Sequence, residues 1–383
     1  MAVVVVKELS KRFGNVKAVN GISFDVRDME FVVLLGPSGC GKTTTMRMIA
    51  GLETPDTGRV EIGGVDVTFM APRDRNIGMV FERYALYPHL SVFENIAYPL
   101  HVRHYHEADI RKRVDEVAGT LRISELLRRR VTQLSGGQMQ RVAIGRAIIR
   151  DAALFLLDEP ISHLDAKLRS HMRGELKRIQ KEIRATAILV THDQIEAMSM
   201  GDRIAVLNEG LIQQFDTPEK IFNLPFNTFV ANFVGEPSMN FIPCSPSRSG
   251  GALSLEGKGF KVSVREAWFN KSKAAGRADG GLTLGIRPEH LRLRPAGANG
   301  TPNLVDGKIY IVEPLGTEII FDVEIGDKVV RVKTMTDNVK DLAVDMGDPV
   351  RVEFPANSFY LFDDRTGETL AQAEFATASE EAR

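Results

Sequence analysis

The sequence predicts an α/β domain built around a parallel β-sheet, followed by a smaller all-β domain. Short β-branched runs alternate with amphipathic stretches over residues 1–235, which is the pattern of an α/β unit. After residue 236 the apolar runs become short and alternating, and turn residues separate them at intervals of about ten. The length of 383 residues fits two or three domains.

Five continuous apolar runs in the first part are typical of strands that are buried on both faces of a parallel sheet. These runs are residues 31–35, 77–80, 154–157, 187–190 and 204–207. Between residues 85 and 150 the pattern changes to charged helical segments, such as 108–122. We therefore expect a helical subdomain inserted between two halves of the α/β core.

The second part, residues 236–383, is expected to form a small β-barrel. Residues 237–251 are rich in Pro, Ser and Gly, which predicts a boundary segment between the two domains. The predicted strands are residues 253–255, 260–264, 282–286, 308–312, 319–323, 329–332 and 349–354. The tail, residues 371–383, has little to bury and is expected to fray.

Composition narrows the class of protein. The formal net charge of −1, from 49 basic and 50 acidic residues, gives no global field that favours nucleic acid or anionic lipid. Two cysteines, Cys40 and Cys244, are too few for a disulfide framework and fit a reducing compartment. The apolar run 3–6 is too short for a secretion signal and follows no basic stretch. No apolar run reaches about 18 residues, so we expect any membrane connection to run through partners.

A phosphate-binding loop is predicted at residues 36–43, which fit G-x-x-x-x-G-K-[ST] directly after the strand 31–35. Its glycines let backbone N–H groups surround phosphates, Lys42 would bridge the β- and γ-phosphates of ATP, and Thr43 would ligate Mg²⁺. The alternative is a Gly-rich turn before an unrelated helix. The residues predicted to bind the nucleotide here are Gly36, Pro37, Ser38, Gly39, Cys40, Gly41, Lys42, Thr43 and Thr44.

An acidic pair, Asp158 and Glu159, directly follows the apolar run 154–157. A carboxylate delivered at the end of a buried strand can hold Mg²⁺, which is the role predicted for Asp158. Glu159 points elsewhere and is the predicted general base for the attacking water. Without the phosphate loop, such a pair would be interpreted as a turn with solvated acids.

A second anion site is predicted where residues 134–138 (L-S-G-G-Q) open a helical stretch. Ser135 and Gln138 have capping-box spacing, and Gly136 and Gly137 leave the first amides bare. The alternative is a simple helix cap with glycines for the turn. Two triphosphate sites on one chain suggest a head-to-tail pair, in which each subunit completes the site of the other.

The order and spacing of these motifs resemble the ATPase subunits of ABC transporters, and the resemblance covers nearly the whole chain. It implies a P-loop NTPase with a RecA-like core and a helical subdomain. By this likeness His192 contacts the γ-phosphate, Asp165 lies across the dimer interface, and Phe13 stacks on adenine. Without it, His192 would be an ordinary residue at a strand end, and Phe13 a core residue.

Three further segments resemble the sugar-importer subgroup typified by the ATPase of the maltose importer: residues 84–91, 285–290 and 312–317. The resemblance implies import of sugars, polyols or glycerol derivatives, with two permease subunits and a solute-binding protein. It places the chain peripherally, on the cytoplasmic face of the inner membrane. The C-terminal OB/TOBE-like domain would be regulatory, and without a basic-aromatic stripe we expect no nucleic-acid partner. Similar ATPases serve iron, sulfate and polyamine importers, so a different cargo stays open.

Two residues depart from the family pattern. Glu82 stands where the family has a Gln that contacts Mg²⁺ and the attacking water, and His163 stands where Asn or Ala is common. At about 4 Å and an effective dielectric of 20, each like-charge contact of Glu82 would cost about 4 kcal/mol before relaxation. One hypothesis is a slow or regulatory subunit that pairs with a paralogous ATPase rather than with its own copy. The alternative is that Glu82 is tolerated as a ligand beside Mg²⁺.

An alternative of a different class is a soluble ABC protein that acts on ribosomes or DNA. Those proteins usually carry two cassettes in one chain or a long coiled-coil insertion. This sequence shows neither feature and is neutral in charge. A transport ATPase is therefore the favoured interpretation.

Overall fold

The computed structural model describes residues 3–249, 252–275, 281–340, 342 and 344–374. The chain divides into two compact units, Met1–Pro218 and Glu219–Arg383. No helix in the described part of the chain combines the length and apolar composition needed to cross a membrane. Of the predicted frayed tail, Ala371 ends a strand, whereas residues 375–383 lie outside the described residues.

Strands and helices alternate along the first unit. Its elements are β1 Val4–Phe13, β2 Val16–Val26, β3 Phe31–Leu35, α1 Lys42–Ala50, β4 Thr57–Ile62, β5 Val65–Asp66, β6 Ile77–Val80, α2 Val92–His101, α3 Glu107–Thr120, α4 Gly136–Ile148, β7 Leu154–Asp158, α5 Ala166–Glu182, β8 Ala187–Thr191, α6 Gln194–Met200, β9 Arg203–Asn208 and β10 Leu211–Asp216.

The main sheet of this unit has the strand order β10-β9-β3-β8-β7-β6 in the described residues. Its strands are parallel except for β10, which pairs antiparallel with β9. The five predicted apolar runs form β3, β6, β7, β8 and β9, and all five residues of β3 are buried. The prediction of a buried parallel sheet is therefore confirmed.

A second, antiparallel sheet with the order β2-β1-β4-β5 was not predicted. Its apolar residues, such as Val4 and Leu9, share one core with the main sheet and with α1. On α1, Met46, Met48 and Ile49 are fully buried in this core. The burial of α1 fixes the helix that begins at Lys42, and with it the end of the predicted phosphate loop.

Helices α2, α3 and α4 occupy the stretch between β6 and β7 where a helical subdomain was expected. Ser91 caps α2 in a capping box with Glu94, and α2 packs against both α3 and α4. The buried Asn95 on α2 binds the backbone of Tyr87, so this helix also anchors the loop that follows β6. The exact limits of the subdomain stay a prediction.

The second unit consists mainly of strands. Its elements are α7 Pro218–Asn223, α8 Thr228–Phe233, β11 Asn240–Ser249, β12 Ala252–Gly257, β13 Phe260–Ser263, α9 Glu266–Lys271, β14 Leu282–Ile286, β15 Arg292–Pro295, β16 Leu304–Pro314, β17 Glu318–Ile325, β18 Lys328–Met335, β19 Pro349–Glu353, β20 Tyr360–Asp363 and β21 Thr369–Ala371.

These strands form two antiparallel sheets in the described residues, with the orders β13-β12-β11-β14-β20-β21 and β15-β19-β16-β17-β18. One apolar core joins the sheets; Leu255, Leu284 and Phe354 come from different parts of it and are fully buried. The predicted strands fall in β12, β13, β14, β16, β17, β18 and β19. The all-β prediction for this part of the chain is confirmed.

Most of the Pro-, Ser- and Gly-rich segment 237–251 is a strand, because residues 240–249 form β11. The domain boundary predicted there stays a prediction. In the described residues each half of β11 has a ladder partner on one side only, β14 for the first half and β12 for the second. This one-sided pairing leaves positions in β11 whose backbone nitrogen needs no N–H donor, and such positions tolerate proline, as at Pro243 and Pro246.

Residues 219–235 group with the second unit, although the predicted domain boundary at 235 stays a prediction. Arg287, which is fully buried, explains the grouping. Its guanidinium donates to the carbonyl oxygens of Phe222 at 2.8 Å and Ala231 at 3.2 Å, and also to that of Val234. The same group lies 4.1 Å from the centroid of the Phe222 ring. One side chain thus holds both α7 and α8.

Replacement of Arg287 tests this role. Arg287→Met leaves the buried carbonyl groups of Ala231 and Val234 and the part-buried one of Phe222 without their donor, so we expect a loss of about 2–4 kcal/mol in the free energy of unfolding. Calorimetric unfolding of the full chain measures the effect. Arg292→Met is the matched control, because the Arg292 side chain is 63% exposed. A loss of the same size in both variants would contradict the role.

Candidate functional site

Four neighbouring parallel strands bring most of the predicted site residues to one edge of the main sheet. Leu35, at the end of β3, is in register with Thr191 at the end of β8, and Asp158 on β7 is in register with Val190. Because parallel strands end at the same edge, the segments that follow them meet there. Loop 36–41 follows β3, and His192 follows β8. Asp158 and Glu159 end β7, and Glu82 follows β6.

The phosphate loop is pressed against backbone on two sides. A Cβ atom on Gly36 would lie 2.3 Å from the carbonyl oxygen of Leu207, and one on Gly41 would lie 2.3 Å from that of Ala18. Gly41 also has a φ of 105°, which side chains rarely adopt. Glycine is therefore required at both positions.

Lys42 lies at the start of α1, and only 5% of it is exposed. Its ammonium group donates to the carbonyl oxygens of Gly36 at 2.8 Å and Pro37 at 2.9 Å. The neighbouring Cys40 is buried, which raises the pKa of its thiol and makes it an inert packing residue. The ammonium is thus held over the loop, where a phosphate oxygen can replace the carbonyl acceptors.

The ionisation of Asp158 is strongly perturbed by its surroundings. Burial, together with the charges of Glu159 and Glu82, raises the pKa of Asp158 to about 6, while Arg47 and Lys42 oppose the shift. A site that concentrates three carboxylates and two cations in this way is suited to a bound cation and a polyanion.

Glu159 and His192 contact each other directly. Nδ1 of His192 lies 3.1 Å from Oε2 of Glu159. Glu159 has a φ of 42°, an uncommon backbone conformation for a residue with a side chain, and its carbonyl accepts from the hydroxyl of Ser162. His192 follows β8, and Asp193 caps the helix behind it. The contact brings the predicted base and the predicted γ-phosphate contact together, and their roles stay a prediction.

The L-S-G-G-Q segment begins helix α4 as predicted. Ser135 and Gln138 form a capping box, with the Ser135 amide 2.9 Å from Oε1 of Gln138. A Cβ on Gly136 would lie 3.1 Å from Leu164, and one on Gly137 would lie 3.1 Å from Leu168. Among the described residues, the side chains that these Cβ atoms would meet first are therefore those of Leu164 and Leu168. Neither of these residues belongs to loop 36–43.

Asp165 and Phe13 lie outside the strand edge. Asp165 caps helix α5 by accepting from the amide of Leu168 at 2.9 Å, a structural role that the sequence analysis missed although Asp is a common N-cap residue. Phe13 ends β1 with 49% of its surface exposed, and Nζ of Lys11 lies 5.4 Å from its ring centroid. The alternative of a core Phe13 is therefore excluded.

The loop after β6 is held by residues that the sequence analysis did not single out. Tyr84 and Ala85 both have positive φ, and Arg146 donates to their carbonyl oxygens at 2.9 Å and 2.7 Å. Burial lowers the pKa of Arg146, which contacts the Tyr87 ring at 5.4 Å. The sequence signal that could have identified Arg146 is its position among the apolar residues of α4.

The oxygen donors at this edge fit Mg²⁺. Thr43 offers an exposed hydroxyl on the first turn of α1, and Asp158 and Glu82 offer carboxylates. In the described residues no three His, Cys, Asp or Glu side chains cluster closely enough to hold a metal by themselves. Mg²⁺ commonly takes one or two carboxylates together with substrate phosphates, so the donor set is compatible with a nucleotide-bound ion.

The raised pKa of Asp158 predicts a pH-dependent stability. Because the folded protein binds this proton more tightly than the unfolded chain, ionised Asp158 destabilises the fold fully above pH 6 and progressively less as pH falls towards 4. Asp158→Asn should therefore stabilise the metal-free protein at pH 8, by about 1–2 kcal/mol after allowance for solvent screening.

Chemical denaturation at pH 8 and pH 5 measures this gain, which should shrink at the lower pH. Asp151→Asn is the control, because the Asp151 side chain is 93% exposed. An equal gain from Asp158→Asn at both pH values would contradict the electrostatic explanation.

Similarity to characterised proteins spans both units. The chain is 44% identical to the trehalose/maltose import ATP-binding protein of Thermococcus litoralis, over 97% of this chain and 100% of that protein. It is 42% identical to the sn-glycerol-3-phosphate import ATP-binding protein of Ruegeria pomeroyi, over 97% and 100%. It is 44% identical to the xylose/arabinose import ATP-binding protein of Haloferax volcanii, over 94% and 92%.

Family models and solved structures agree with these relatives. The ABC transporter model matches residues 19–162, the MalK OB fold domain residues 235–291 and the TOBE domain residues 284–362. The dimeric ATP-binding cassette MJ0796, in a post-hydrolysis state bound to ADP and Pi, superimposes with a TM-score of 0.50 at 31% identity, covering 56% of this chain and 98% of that chain. The protein cbiO1 of Clostridium perfringens, part of an ABC transporter complex, gives a TM-score of 0.54 at 28% identity, over 57% and 89%. The chain therefore belongs to the ATP-hydrolysing subunits of ABC transporters, within the carbohydrate-uptake family typified by the maltose-importer ATPase.

Proposed function

We propose that this protein energises an ABC importer for sugars, polyols or glycerol derivatives, by hydrolysing ATP at the cytoplasmic face of the inner membrane. The observation that carries the proposal is the meeting of the phosphate loop, Asp158, Glu159 and His192 at the ends of adjacent parallel strands. The cargo class follows from the relatives, whose names include trehalose/maltose, sn-glycerol-3-phosphate and xylose/arabinose import.

The phosphate loop and the first turn of α1 bind the triphosphate of ATP. Loop amides and the helix N-terminus supply donors, and Lys42 exchanges its loop carbonyls for phosphate oxygens. The exposed face of Phe13 stacks on adenine. Thr43, Asp158 and Glu82 would hold Mg²⁺, which neutralises phosphate charge when bound.

Glu159 acts as the general base that takes a proton from the attacking water. His192, whose Nδ1 lies 3.1 Å from its carboxylate, orients Glu159 and reaches the γ-phosphate. The strained φ of 42° at Glu159 supports a positional requirement of this kind. Hydrolysis therefore depends on two residues that end neighbouring strands.

A second cassette completes the site. The capped N-terminus of α4, with Ser135, Gly136, Gly137 and Gln138, binds the γ-phosphate of the ATP held by the partner. Asp165, exposed at the start of α5, lies at the same interface. The partner is either a second copy or a paralogous ATPase. When the two cassettes close on each other, they drive the two permease subunits into an outward-facing state. A solute-binding protein delivers the cargo to the permease.

The loop after β6, residues 82–89, contacts the permease. Arg146 and Asn95 fix this loop to the helices of the inserted segment, which supports a transmitting role. The C-terminal unit is regulatory.

A weakly catalytic subunit paired with a second, more typical ATPase is the other candidate. The observation that favours it is the carboxylate of Glu82, which adds negative charge beside Asp158. Turnover of the purified chain, compared with that of Glu82→Gln, separates the two candidates. Growth of a deletion strain on a panel of carbon sources distinguishes sugars and polyols from a cargo of another class.

The catalytic assignment predicts that Glu159→Gln lowers ATP turnover by about 10²-fold or more while ATP binding persists. The variant should accumulate an ATP-dependent dimer, because the closed pair reopens only after hydrolysis. Phosphate release and light scattering with Mg-ATP measure both effects. Glu182→Gln is the control, with a side chain 48% exposed on α5. Normal turnover in Glu159→Gln would show that another group is the base.

The binding assignment predicts that Lys42→Ala weakens ATP binding by about 30-fold or more, because a charge-assisted contact worth about 2 kcal/mol is lost. Calorimetry with a non-hydrolysable ATP analogue measures the dissociation constant. Lys112→Ala, at an exposed position on α3, is the control. Unchanged affinity in Lys42→Ala would contradict the assignment.

A further inference from the structure

The two residues that depart from the family pattern contact each other. Nε2 of His163 lies 3.2 Å from Oε1 of Glu82, and about half of each side chain is exposed, 48% and 49%. A carboxylate only accepts hydrogen bonds, so the ring nitrogen is the donor. Glu82 and His163, which are far apart in the sequence, are therefore the two partners of one contact.

The backbones on both sides of this contact are held by other groups. On the Glu82 side, Arg146 binds the carbonyl groups of Tyr84 and Ala85. On the His163 side, Leu164 is buried, and Asp165 caps α5. The contact between Glu82 and His163 is therefore not needed to keep either loop in place, and its effect falls on the charge of Glu82.

The charge of Glu82 bears directly on the nucleotide edge. Glu82 lies close enough to Asp158 to perturb its ionisation, in the same direction as Glu159 does. Of these carboxylates, Glu159 has His192 as a partner at 3.1 Å, and Glu82 has His163 at 3.2 Å. Two histidine–carboxylate pairs thus accompany the half-buried carboxylate of Asp158 at the ends of β6, β7 and β8.

We propose that His163 is a positioning residue that holds the Glu82 carboxylate and offsets its charge, so that this edge accepts a nucleoside triphosphate. The proposal rests on the function proposed above and deepens it. A Gln at position 82 needs no such partner, whereas a carboxylate there does. His163 without Glu82 is dispensable, whereas Glu82 without His163 loses the donor that holds it and opposes its charge. The two residues act as one unit that replaces a single amide side chain.

A double-mutant cycle tests the proposal with the full chain, Mg²⁺ and a non-hydrolysable ATP analogue. His163→Asn alone should raise the dissociation constant of the analogue about tenfold, because the Glu82 charge is left without its donor. In the Glu82→Gln background, the same His163→Asn change should alter the dissociation constant less than about threefold, because the carboxylate that His163 holds is absent. A tenfold loss from His163→Asn in the Glu82→Gln background as well would overturn the proposal.

A second measurement separates charge from structure. His163→Asn should weaken the binding of the triphosphate analogue more than that of ADP, because the γ-phosphate carries the additional charge. In the Glu82→Gln background, His163→Asn should leave the ratio of the two affinities unchanged. A merely structural loss would weaken both nucleotides alike and would also overturn the proposal. Thermal melting without nucleotide confirms that each variant is folded.

The chain offers a matched control. Nδ1 of His101 lies 3.4 Å from Oε1 of Glu107, at a histidine–glutamate contact on α2 and α3 with side chains 41% and 79% exposed. His101→Asn should leave both affinities unchanged. Failure of the wild-type chain to bind the analogue at all would contradict the proposed ATPase function, whereas normal binding in all four proteins of the cycle would contradict only the role of His163.

Discussion

Parallel pairing of β3, β8, β7 and β6 is the constraint on which the whole site depends. Registered pairing ends these strands at a common edge, where the functional groups of the following segments meet. The phosphate loop is then packed between the two sheets of the first unit, because Gly36 and Gly41 approach the backbones of Leu207 on β9 and Ala18 on β2 too closely for any side chain. A shift of one strand would separate the ammonium of Lys42 from the carboxylates.

The same geometry creates an electrostatic problem, which the site solves with counter-groups. Burial and neighbouring charges raise the pKa of Asp158 to about 6, since carboxylates from β7 and from the loop after β6 converge. Lys42 and Arg47 oppose this repulsion, and histidines take up the other two carboxylates. A triphosphate adds further negative charge at this edge. The carboxylates and cations at this edge are therefore suited to a bound divalent cation together with a polyanion.

The sequence predicted the parts of the molecule in which one local signal decides the structure. Uninterrupted apolar runs located β3, β6, β7, β8 and β9, and the spacing of glycines located the phosphate loop. The antiparallel sheet was missed because β1 and β2 mix buried with exposed residues and are interrupted by bulges, which blurs the alternation. The prolines of β11 hid the strand at residues 240–249, because proline is uncommon within strands. Long-range contacts, such as those of Arg287 with α7 and α8, have no local signal.

The Glu82–His163 contact shows why departures from a family pattern are best interpreted in pairs. Taken alone, Glu82 suggested an impaired site, and His163 suggested nothing. The structure places their side chains 3.2 Å apart, between the loop that follows β6 and the segment before α5. A carboxylate that accepts a hydrogen bond from a fixed donor repels a nearby phosphate less than a carboxylate without a donor, because the donor offsets part of its negative charge. The conclusion that Glu82 weakens catalysis therefore does not follow from the substitution alone, because the imidazole of His163 lies within hydrogen-bond distance of this carboxylate.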